Sequence, residues 1–357
     1  MSRYLVTGDT GFLGGHLAQA LRARGHEVVP FSRSTGGDVL DAPAVARAAG
    51  GCDGAFHCAG PVSRDPADAE ELYRVHVEGT KNVLRACASA GVRRAVVASS
   101  SGTVAVSERP QPVATEESPT PIGLISRWPY YRAKLFAERA ALAWEPGNLD
   151  GTSPAPPERG RNLDGTSPAP PERGRNLEVV SVNPSLLLGP GGNGSSTEDV
   201  RLLLEGQIPA VPAGGLSFVD VRDAAEAMVL AMDRGRAGER YLVGACNLTV
   251  RDFFARIARA ADVPMPWLPM PRSRALAAMG ARLAQRVAAR TGLGFAAAVD
   301  PVSVEMAACF WYLDASKAQR ELGWTPRDPG LTLRDTVRDL RERGVVWPRE
   351  QAGATSR

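Results

Sequence analysis

The sequence has few of the residues that mark secreted, metal-binding or nucleic-acid-binding proteins. Its five cysteines are scattered through 357 residues without a C-x-x-C spacing, so we expect reduced, mostly buried thiols and a cytoplasmic protein. Its four histidines show no ligand spacing, and we expect no metal. Lys and Arg total 42 against 39 for Asp and Glu, a balance that argues against nucleic acid as a partner.

Long hydrophobic runs are missing as well. No apolar run reaches the roughly 18 residues that a membrane span needs, and a predicted strand from Tyr4 leaves no room for a signal peptide. We therefore expect no transmembrane segment. Hydrophobic residues still make up 44% of the chain, and the length suffices for one large or two modest domains with a core.

The first motif is a glycine-rich turn between an apolar run and a helical pattern. The run 4–6 precedes Gly8, Gly11 and Gly14, and apolar residues at helical spacing follow. A helix N-terminus presents unpaired N–H groups and a partial positive charge, which suit a pyrophosphate. Gly8 would permit the tight turn, Gly11 the approach of the backbone to the phosphates, and Gly14 close helix–strand packing. The turn predicts the start of a dinucleotide-binding βαβ unit, with a purely structural turn as the alternative.

Short apolar runs and helical patterns then alternate along the chain. Further strands are predicted at 26–32, 55–59, 95–98 and 178–182, and helices at 41–49, 70–90 and 130–144. This alternation predicts an α/β fold with a doubly wound parallel sheet of the Rossmann type.

The pattern changes beyond Asn183, where loops and proline-punctuated helices predominate. We predict a dinucleotide-binding domain formed by residues 1–183 and 216–243. A smaller, mostly helical substrate domain would comprise residues 184–215 and 244–357, over the carboxyl ends of the strands.

An exact repeat interrupts the first domain. Residues 148–161 recur without change at 162–175, and both copies are rich in proline and glycine. Two copies are too few for a solenoid. We predict a disordered surface insertion at 148–175, with partner binding as the alternative.

A tyrosine, a lysine and a run of three serines could carry chemistry. Tyr130 and Lys134 are four residues apart, so on a helix they share one face. A nearby ammonium favours the phenolate, which would make the phenol a better proton donor and acceptor near neutral pH. The serines 99–101 end a strand at the carboxyl edge of the sheet, where a hydroxyl could donate to a substrate carbonyl. The structural alternative for the serines is a helix cap, and that for Tyr130 and Lys134 is a solvated helix face.

With the glycine turn, the serine-ended strand and Y-x-x-x-K in this order, the sequence resembles the extended short-chain dehydrogenase/reductases of the NAD-dependent epimerase/dehydratase family. It is most similar to dihydroflavonol-4-reductase-like, 3β-hydroxysteroid dehydrogenase-like and hopanoid-associated epimerase-like members. The resemblance covers nearly the whole chain apart from the insertion. It rests on T-G-D-T-G-F-L-G at 7–14, H-V-E-G-T-K-N-V-L at 76–84, G-V-R-R-A-V-V-A-S-S-S-G-T-V at 91–104, Y-Y-R-A-K at 130–134, N-P-S-L-L-L-G-P at 183–190, F-V-D-V-R-D-A-A at 218–225 and L-D-A-S-K-A-Q-R-E-L-G-W at 313–324.

The resemblance implies a role for each matching residue. Tyr130 would be the general acid/base, Lys134 its pKa partner and a ribose ligand, and Ser100 the carbonyl hydrogen-bond donor, with Ser101 as the alternate. Two departures stand out: His76 replaces the usual asparagine, which puts a water relay in doubt, and Asp9 places a carboxylate where pyrophosphate should lie.

Cofactor choice depends on the turn after the second strand. NAD-specific sites place a carboxylate there, whereas an arginine accommodates a 2′-phosphate; the turn 31–34 contains Arg33 and no carboxylate. We therefore favour NADP(H), with NAD(H) as the alternative cofactor. The alternative interpretation of Arg33 is a solvated surface residue without a role in binding. Together with the contacts that the resemblance implies at Asp38, Val39, Ala59, Gly60 and Pro184, the predicted cofactor-binding residues are Gly8, Thr10, Gly11, Phe12, Leu13, Arg33, Asp38, Val39, Ala59, Gly60, Tyr130, Lys134 and Pro184.

The predicted function is an oxidoreductase that reduces a ketone or oxidises a secondary alcohol of a small, apolar substrate. A sugar epimerase or dehydratase is the first alternative, although residues 183–190 lack the R-x-x-N-x-Y-G-P pattern of such members. A non-catalytic NADP-binding protein is the second. Arg282, Arg286 and Arg290 recur on one predicted helix face, which we interpret as solvated, with peripheral membrane contact as the alternative. The sequence leaves the oligomeric state open, with a homodimer as one possibility.

Overall fold

The computed structural model describes residues 1–144 and 177–346, apart from residues 193, 209, 267 and 271–300. The predicted insertion at 148–175 and the arginines at 282, 286 and 290 lie outside the described residues. Within the described ranges, no helix combines the length and apolar character needed to cross a bilayer.

Six of the described strands form one parallel sheet, which confirms the predicted doubly wound fold. The strands of this sheet, in the spatial order β2-β1-β3-β4-β5-β8, are β1 (Arg3–Thr7), β2 (Glu27–Phe31), β3 (Gly54–His57), β4 (Arg94–Ala98), β5 (Glu178–Pro184) and β8 (Arg240–Val243). The central strands are buried on both faces, and Leu5, Phe56 and Val96 have no exposed surface. Such continuous apolar strands are typical of a sheet covered by helices on both sides.

Helices flank this sheet on both faces, and further helices lie in the second half of the chain. Their bounds are α1 (Phe12–Ala23), α2 (Ala42–Ala49), α3 (Ala69–Tyr73), α4 (Gly79–Ser89), α5 (Ile122–Ile125), α6 (Pro129–Leu142), α7 (Ser195–Leu204), α8 (Val221–Arg234), α9 (Val250–Ala261), α10 (Pro301–Ala307) and α11 (Pro329–Glu342). Leu17 of α1 and Ala224 of α8 belong to one apolar core, whereas Val45 of α2 and Val83 of α4 belong to another. The two cores lie on opposite faces of the sheet.

The described part of the second half is mostly helical, as predicted, but it also contains a four-stranded sheet that the sequence pattern did not predict. This sheet contains β6 (Leu186–Leu188), β7 (Gly215–Asp220), β9 (Cys246–Thr249) and β10 (Phe310–Trp311). β7 pairs in this sheet, although the sequence pattern assigned residues 216–243 to the dinucleotide-binding domain. These strands hold two to six residues each, too few for a period to appear, and their partners are distant in sequence. The division into two domains stays a prediction.

The predicted helix 70–90 is interrupted by a π-helical turn, Arg74–Glu78, between α3 and α4. The extra residue in this turn changes the direction of the side chains that follow it. Such turns occur often at functional sites, and this one carries His76 beside the cavity described next.

Candidate active site

A cavity of about 380 Å³ lies at the carboxyl edge of the parallel sheet. Parallel strands all end at this edge, so residues that follow β1, β3, β4 and β5 converge there. The predicted site residues in its wall are Gly11, Phe12, Leu13, Gly60, Ser100, Tyr130, Lys134 and Pro184. The fold therefore brings together residues that are up to 173 positions apart, from Gly11 to Pro184.

The glycine turn has room for main chain only. Gly8 has φ +72°, and a Cβ there would lie 2.8 Å from the Ala59 nitrogen. A Cβ on Gly14 would lie 2.1 Å from the Gly8 carbonyl oxygen. Gly11 precedes α1, and no side chain makes a capping hydrogen bond to this helix N-terminus. This arrangement suits an anion at the first turn of α1.

Asp9 follows Gly8 in this turn. Its side chain is half-buried, and Oδ1 is fully buried with no hydrogen-bond partner among the described residues. Asp9 does not line the cavity, and nothing in the described structure explains why this oxygen is buried without a partner.

Hydroxyl groups surround the turn after β2. The Thr10 hydroxyl donates to Ser32 Oγ at 3.2 Å and accepts from the Ser34 hydroxyl at 3.0 Å. The Arg33 side chain is 76% exposed, and its Nη1 lies 3.8 Å from Glu71 Oε1. This turn thus presents a guanidinium and several hydroxyls to solvent beside the glycine turn.

The remaining predicted cofactor residues lie outside the cavity wall. Ala59 packs against Gly8. Asp38 is exposed, and its carboxylate accepts from the Leu40 N–H at 2.9 Å. The Val39 side chain is buried in the core, so only its main chain is available to a ligand.

Ser100 follows β4 and caps the turn Ser101–Thr103, since its Oγ accepts from the Gly102 N–H at 3.2 Å. Because this contact uses an oxygen lone pair, the hydroxyl proton is left for another acceptor. Ser101 also lines the cavity. The capping role and the proposed donor role are therefore compatible.

Tyr130 and Lys134 lie one turn apart on α6, which begins at Pro129, and both line the cavity. Lys134 Nζ donates to the Ala98 carbonyl at 2.8 Å. Burial lowers the pKa of Lys134 to about 8, against the opposing effect of Cys58 and Glu138. Burial also raises the pKa of Tyr130 above its ordinary value of 10, with a further contribution from Tyr131. The phenol is therefore protonated at neutral pH, whereas the sequence argument expected the ammonium to favour the phenolate.

His76 occupies a space that Gly60 leaves open. A Cβ on Gly60 would lie 2.1 Å from His76 Cε1, and the imidazole meets the Tyr130 ring edge-on at 5.6 Å. Burial lowers the pKa of His76 well below its ordinary value, so the ring is neutral and donates from Nε2 to the Pro61 carbonyl at 2.8 Å. The His76 carbonyl accepts from the Thr80 hydroxyl. Nε2 and the carbonyl of His76 are thus engaged, and among the described residues no hydrogen-bond partner is seen for the second ring nitrogen, Nδ1.

A second buried histidine stabilises the strand end below this site. The Thr80 hydroxyl donates its hydrogen bond to the backbone carbonyl of His76. Its oxygen therefore accepts a hydrogen bond from His57 Nε2 at 2.9 Å. His57 Nδ1 then accepts from the Thr7 hydroxyl at 2.7 Å. Burial lowers the pKa of His57 to about 3, so this histidine is neutral.

Sequence reasoning missed Glu138, one turn beyond Lys134 on α6. This carboxylate is 1% exposed. Its Oε2 accepts from the hydroxyls of Ser99 and Thr103 and from the Asn183 amide, and its Oε1 lies 2.9 Å from Arg240 Nη1. The four-residue spacing of Tyr130, Lys134 and Glu138 was the available signal.

Sequence reasoning also missed an aromatic wall. Trp128 stacks on Trp311 with ring centroids 5.4 Å apart, and Tyr131 lies 4.9 Å from Trp311. At another part of the wall, Arg64 contacts Ser303 Oγ at 3.0 Å and Asp199 Oδ2 at 3.4 Å. No local pattern marks these residues, because they come from distant segments.

The sequence and the fold are both similar to those of known proteins. The model of the NAD dependent epimerase/dehydratase family matches residues 4–159. A putative dihydroflavonol 4-reductase of Synechocystis sp. is 30% identical over 370 residues, which cover 96% of either chain. Sterol demethylase protein B of Methylococcus capsulatus is 29% identical over 96% of this chain and 99% of that protein.

Among solved structures, a nucleoside-diphosphate-sugar epimerase from Pseudomonas aeruginosa superposes with a TM-score of 0.69 at 24% identity. The superposition covers 97% of this chain and 99% of the epimerase chain. At this identity the similarity describes the fold alone.

Proposed function

Because this chain belongs to the NAD-dependent epimerase/dehydratase family and is an NAD(P)-dependent oxidoreductase, we propose that it reduces a ketone, or oxidises the corresponding secondary alcohol, with NADP(H). The observation that carries the proposal is one cavity whose wall contains Ser100, Tyr130 and Lys134 beside the N-terminus of α1. Its substrate would be small and mostly apolar.

The proposed cofactor fits the residues around the glycine turn. When bound, NADP(H) supplies or accepts the hydride. Gly8 and Gly14 let the turn pack closely against Ala59 and α1, and Gly11 precedes α1 without a capping side chain, so the N–H groups of its first turn would be available to a pyrophosphate. Lys134 would bind the ribose, and Pro184 would border the nicotinamide.

Three side chains would handle the carbonyl oxygen of the substrate. Ser100 would donate a hydrogen bond to that oxygen and stabilise the negative charge that develops on it. Tyr130 holds its proton at neutral pH, because burial raises its pKa, and would transfer this proton to the same oxygen. Lys134, when protonated, would stabilise the phenolate that Tyr130 leaves behind. In the oxidative direction the proton moves back to Tyr130.

Arg33 supports NADP(H) over NAD(H). A guanidinium binds a phosphate by two charge-assisted hydrogen bonds, and the hydroxyls of Thr10, Ser32 and Ser34 lie at the same turn. The contact with Glu71 is long, at 3.8 Å, and both side chains are more than half exposed, so it is a weak competitor.

The cavity wall supports an apolar substrate over a nucleotide sugar. Among the described wall residues, the charged ones are Arg64, Lys134 and Asp199, and Arg64 contacts Asp199. With Lys134 assigned to the cofactor ribose and Arg64 paired with Asp199, the described wall presents no further cation to the diphosphate of a nucleotide sugar. Two of the relatives named above, a putative dihydroflavonol 4-reductase and a sterol demethylase protein B, carry names that refer to ring compounds and not to nucleotide sugars.

The proposal is tested by NADPH consumption, followed by absorbance, with a panel of aliphatic and aryl ketones. We expect turnover with apolar ring ketones and none with nucleotide sugars. Turnover of nucleotide sugars without net NADPH consumption would favour the epimerase alternative. Binding of NADPH without turnover of any carbonyl would favour a non-catalytic protein.

A further inference from the structure

The ring of Tyr130, the proposed acid/base, contacts two further rings. The imidazole of His76 meets it edge-on, with the ring centroids 5.6 Å apart and the planes at 75°. The phenol ring of Tyr131 meets it in the same manner at 5.0 Å and 76°. Such perpendicular pairs bring the positive edge of one ring to the negative face of the other and are attractive. Two directed contacts on one side chain therefore restrict how its ring can turn.

Both neighbouring rings occupy space that a glycine leaves open. A Cβ on Gly60 would lie 2.1 Å from His76 Cε1, and a Cβ on Gly102 would lie 2.2 Å from Tyr131 Cε1. Carbon atoms in contact are about 3.5–4.0 Å apart. A side chain at either glycine would therefore displace the ring that now packs against Tyr130.

The two rings are themselves held in place. His76 lies in the π-helical turn and is 1% exposed, and its Nε2 donates to the Pro61 carbonyl at 2.8 Å. The Tyr131 ring packs against Trp311, with the centroids 4.9 Å apart. Because each ring has contacts of its own, each can resist a movement of the Tyr130 ring.

His76 acts on Tyr130 by its shape and not by its charge. Burial lowers the pKa of His76 well below its ordinary value, so the imidazole is neutral. His76 is also absent from the described cavity wall, whereas Tyr130 and Tyr131 are part of it. Any effect of the His76 ring on the reaction must therefore pass through Tyr130.

We propose that His76 and Tyr131 form an aromatic clamp that fixes the ring of Tyr130 in the orientation from which the phenol transfers its proton. His76 is then a positioning residue, since it acts through Tyr130. Proton transfer requires the phenolic oxygen to lie within hydrogen-bond distance of the substrate oxygen, and a loss of orientation slows such a step. This role of the clamp rests on the proposed reductase function, in which Tyr130 is the acid/base.

The chain offers a matched control for His76. His26 meets Tyr4 edge-on, with the centroids 5.1 Å apart and the planes at 69°, and neither residue lines the cavity. His76→Gln and His26→Gln therefore remove the same kind of ring contact from two places, of which only one contains Tyr130. His76→Phe keeps a ring beside Tyr130 but loses the hydrogen bond to Pro61.

The first test measures kcat and KM with the ketone that is turned over fastest, using NADPH and NADPH deuterated at the transferred hydrogen. His76→Gln should lower kcat roughly 2- to 10-fold, the effect of one ring contact, at an unchanged KM for NADPH. It should also raise the isotope effect on kcat, because the chemical step becomes slower relative to product release. His76→Phe should lose less of kcat than His76→Gln, and His26→Gln should lose none.

Thermal unfolding of each variant identifies any that are misfolded. If His76→Gln is among them, Tyr131→Leu and Tyr131→Phe provide the second pair, and Tyr131→Leu should lower kcat more. The clamp is overturned if His76→Gln turns over like the wild type, or if His76→Phe is no better than His76→Gln. The second result would assign the effect to the hydrogen bond with Pro61 and not to the ring.

A second readout needs no turnover. With 3-fluorotyrosine in place of the six tyrosines, the Tyr130 fluorine signal is identified by its absence from Tyr130→Phe. In His76→Gln we expect this signal to shift and to narrow, because the ring gains motion, and in His26→Gln we expect it to stay unchanged. An unchanged signal in His76→Gln contradicts the clamp alone. A shifted and narrowed signal without turnover of any ketone contradicts the reductase proposal alone.

Discussion

Replacing Glu138 by glutamine removes the charge that connects α6 to two strand ends. Glu138 receives three hydrogen bonds, from Ser99, Thr103 and Asn183, and pairs with Arg240. Glutamine keeps the shape and one acceptor oxygen, but it leaves the Arg240 guanidinium facing a neutral amide. Breaking a buried ion pair costs about 3–5 kcal/mol. Arg240 is 23% exposed and can be partly solvated, so we expect a loss of about 3 kcal/mol in the free energy of unfolding.

The same change should alter the pH dependence of catalysis. The pKa of Lys134 is about 8, because burial lowers it more than Cys58 and Glu138 raise it. A lysine is charged below its pKa, so the ammonium proposed to support Tyr130 is lost as the pH rises through about 8. Without the Glu138 charge the pKa of Lys134 falls further. The alkaline decline of kcat should therefore move to lower pH in Glu138→Gln, while KM for NADPH changes little.

Urea unfolding and a pH profile of kcat measure the two effects. Glu27→Gln is the matched control, because Glu27 pairs with Arg3 at the surface, where both side chains are 40–50% exposed. Exposed pairs contribute about 1 kcal/mol or less, and this one is distant from the cavity. The reasoning is refuted if Glu138→Gln destabilises the protein no more than Glu27→Gln does, or if its pH profile coincides with that of the wild type.

Three further predictions concern the proposed cofactor site and the acid/base residue. Arg33→Ala should weaken NADPH binding roughly 10- to 100-fold by loss of charged hydrogen bonds and leave NADH binding unchanged in fluorescence titrations; equal effects on both would contradict a 2′-phosphate contact. Gly14→Ala should abolish cofactor binding, because its Cβ would lie 2.1 Å from a backbone oxygen, whereas the Gly15→Ala control meets its nearest atom at 3.5 Å; intact binding by Gly14→Ala would show that the turn adapts. Tyr130→Phe should lower kcat roughly 10²- to 10⁴-fold with unchanged NADPH affinity, and a normal kcat would exclude Tyr130 as the acid/base.

Local spacing predicted much of the fold and of the candidate site. The alternation of apolar runs and helices predicted the parallel sheet, because each strand and helix carries its own period. The glycines at 8, 11 and 14 predicted the turn, because their lack of a side chain is visible in the letters. Tyr130 and Lys134 share a helix face, and the helical period alone places them there.

Other features could not be predicted, since they depend on contacts between distant segments. The strands of the second sheet are too short to show a period, and their partners lie far away in the chain. Whether Arg33 is exposed or buried is likewise a property of its neighbours.

The sequence by itself determined the order of strands and helices, the glycine turn and the pairing of Tyr130 with Lys134, because each follows from residue types within a few positions. Only the tertiary structure decided the surroundings of these residues. It buries Glu138 between Ser99, Asn183 and Arg240 and brings Trp128, Tyr131 and Trp311 together in the cavity wall. Burial also lowers the pKa of Lys134 and raises that of Tyr130. Burial, electrostatics and cavity shape arise when distant segments pack together, and no local pattern encodes them.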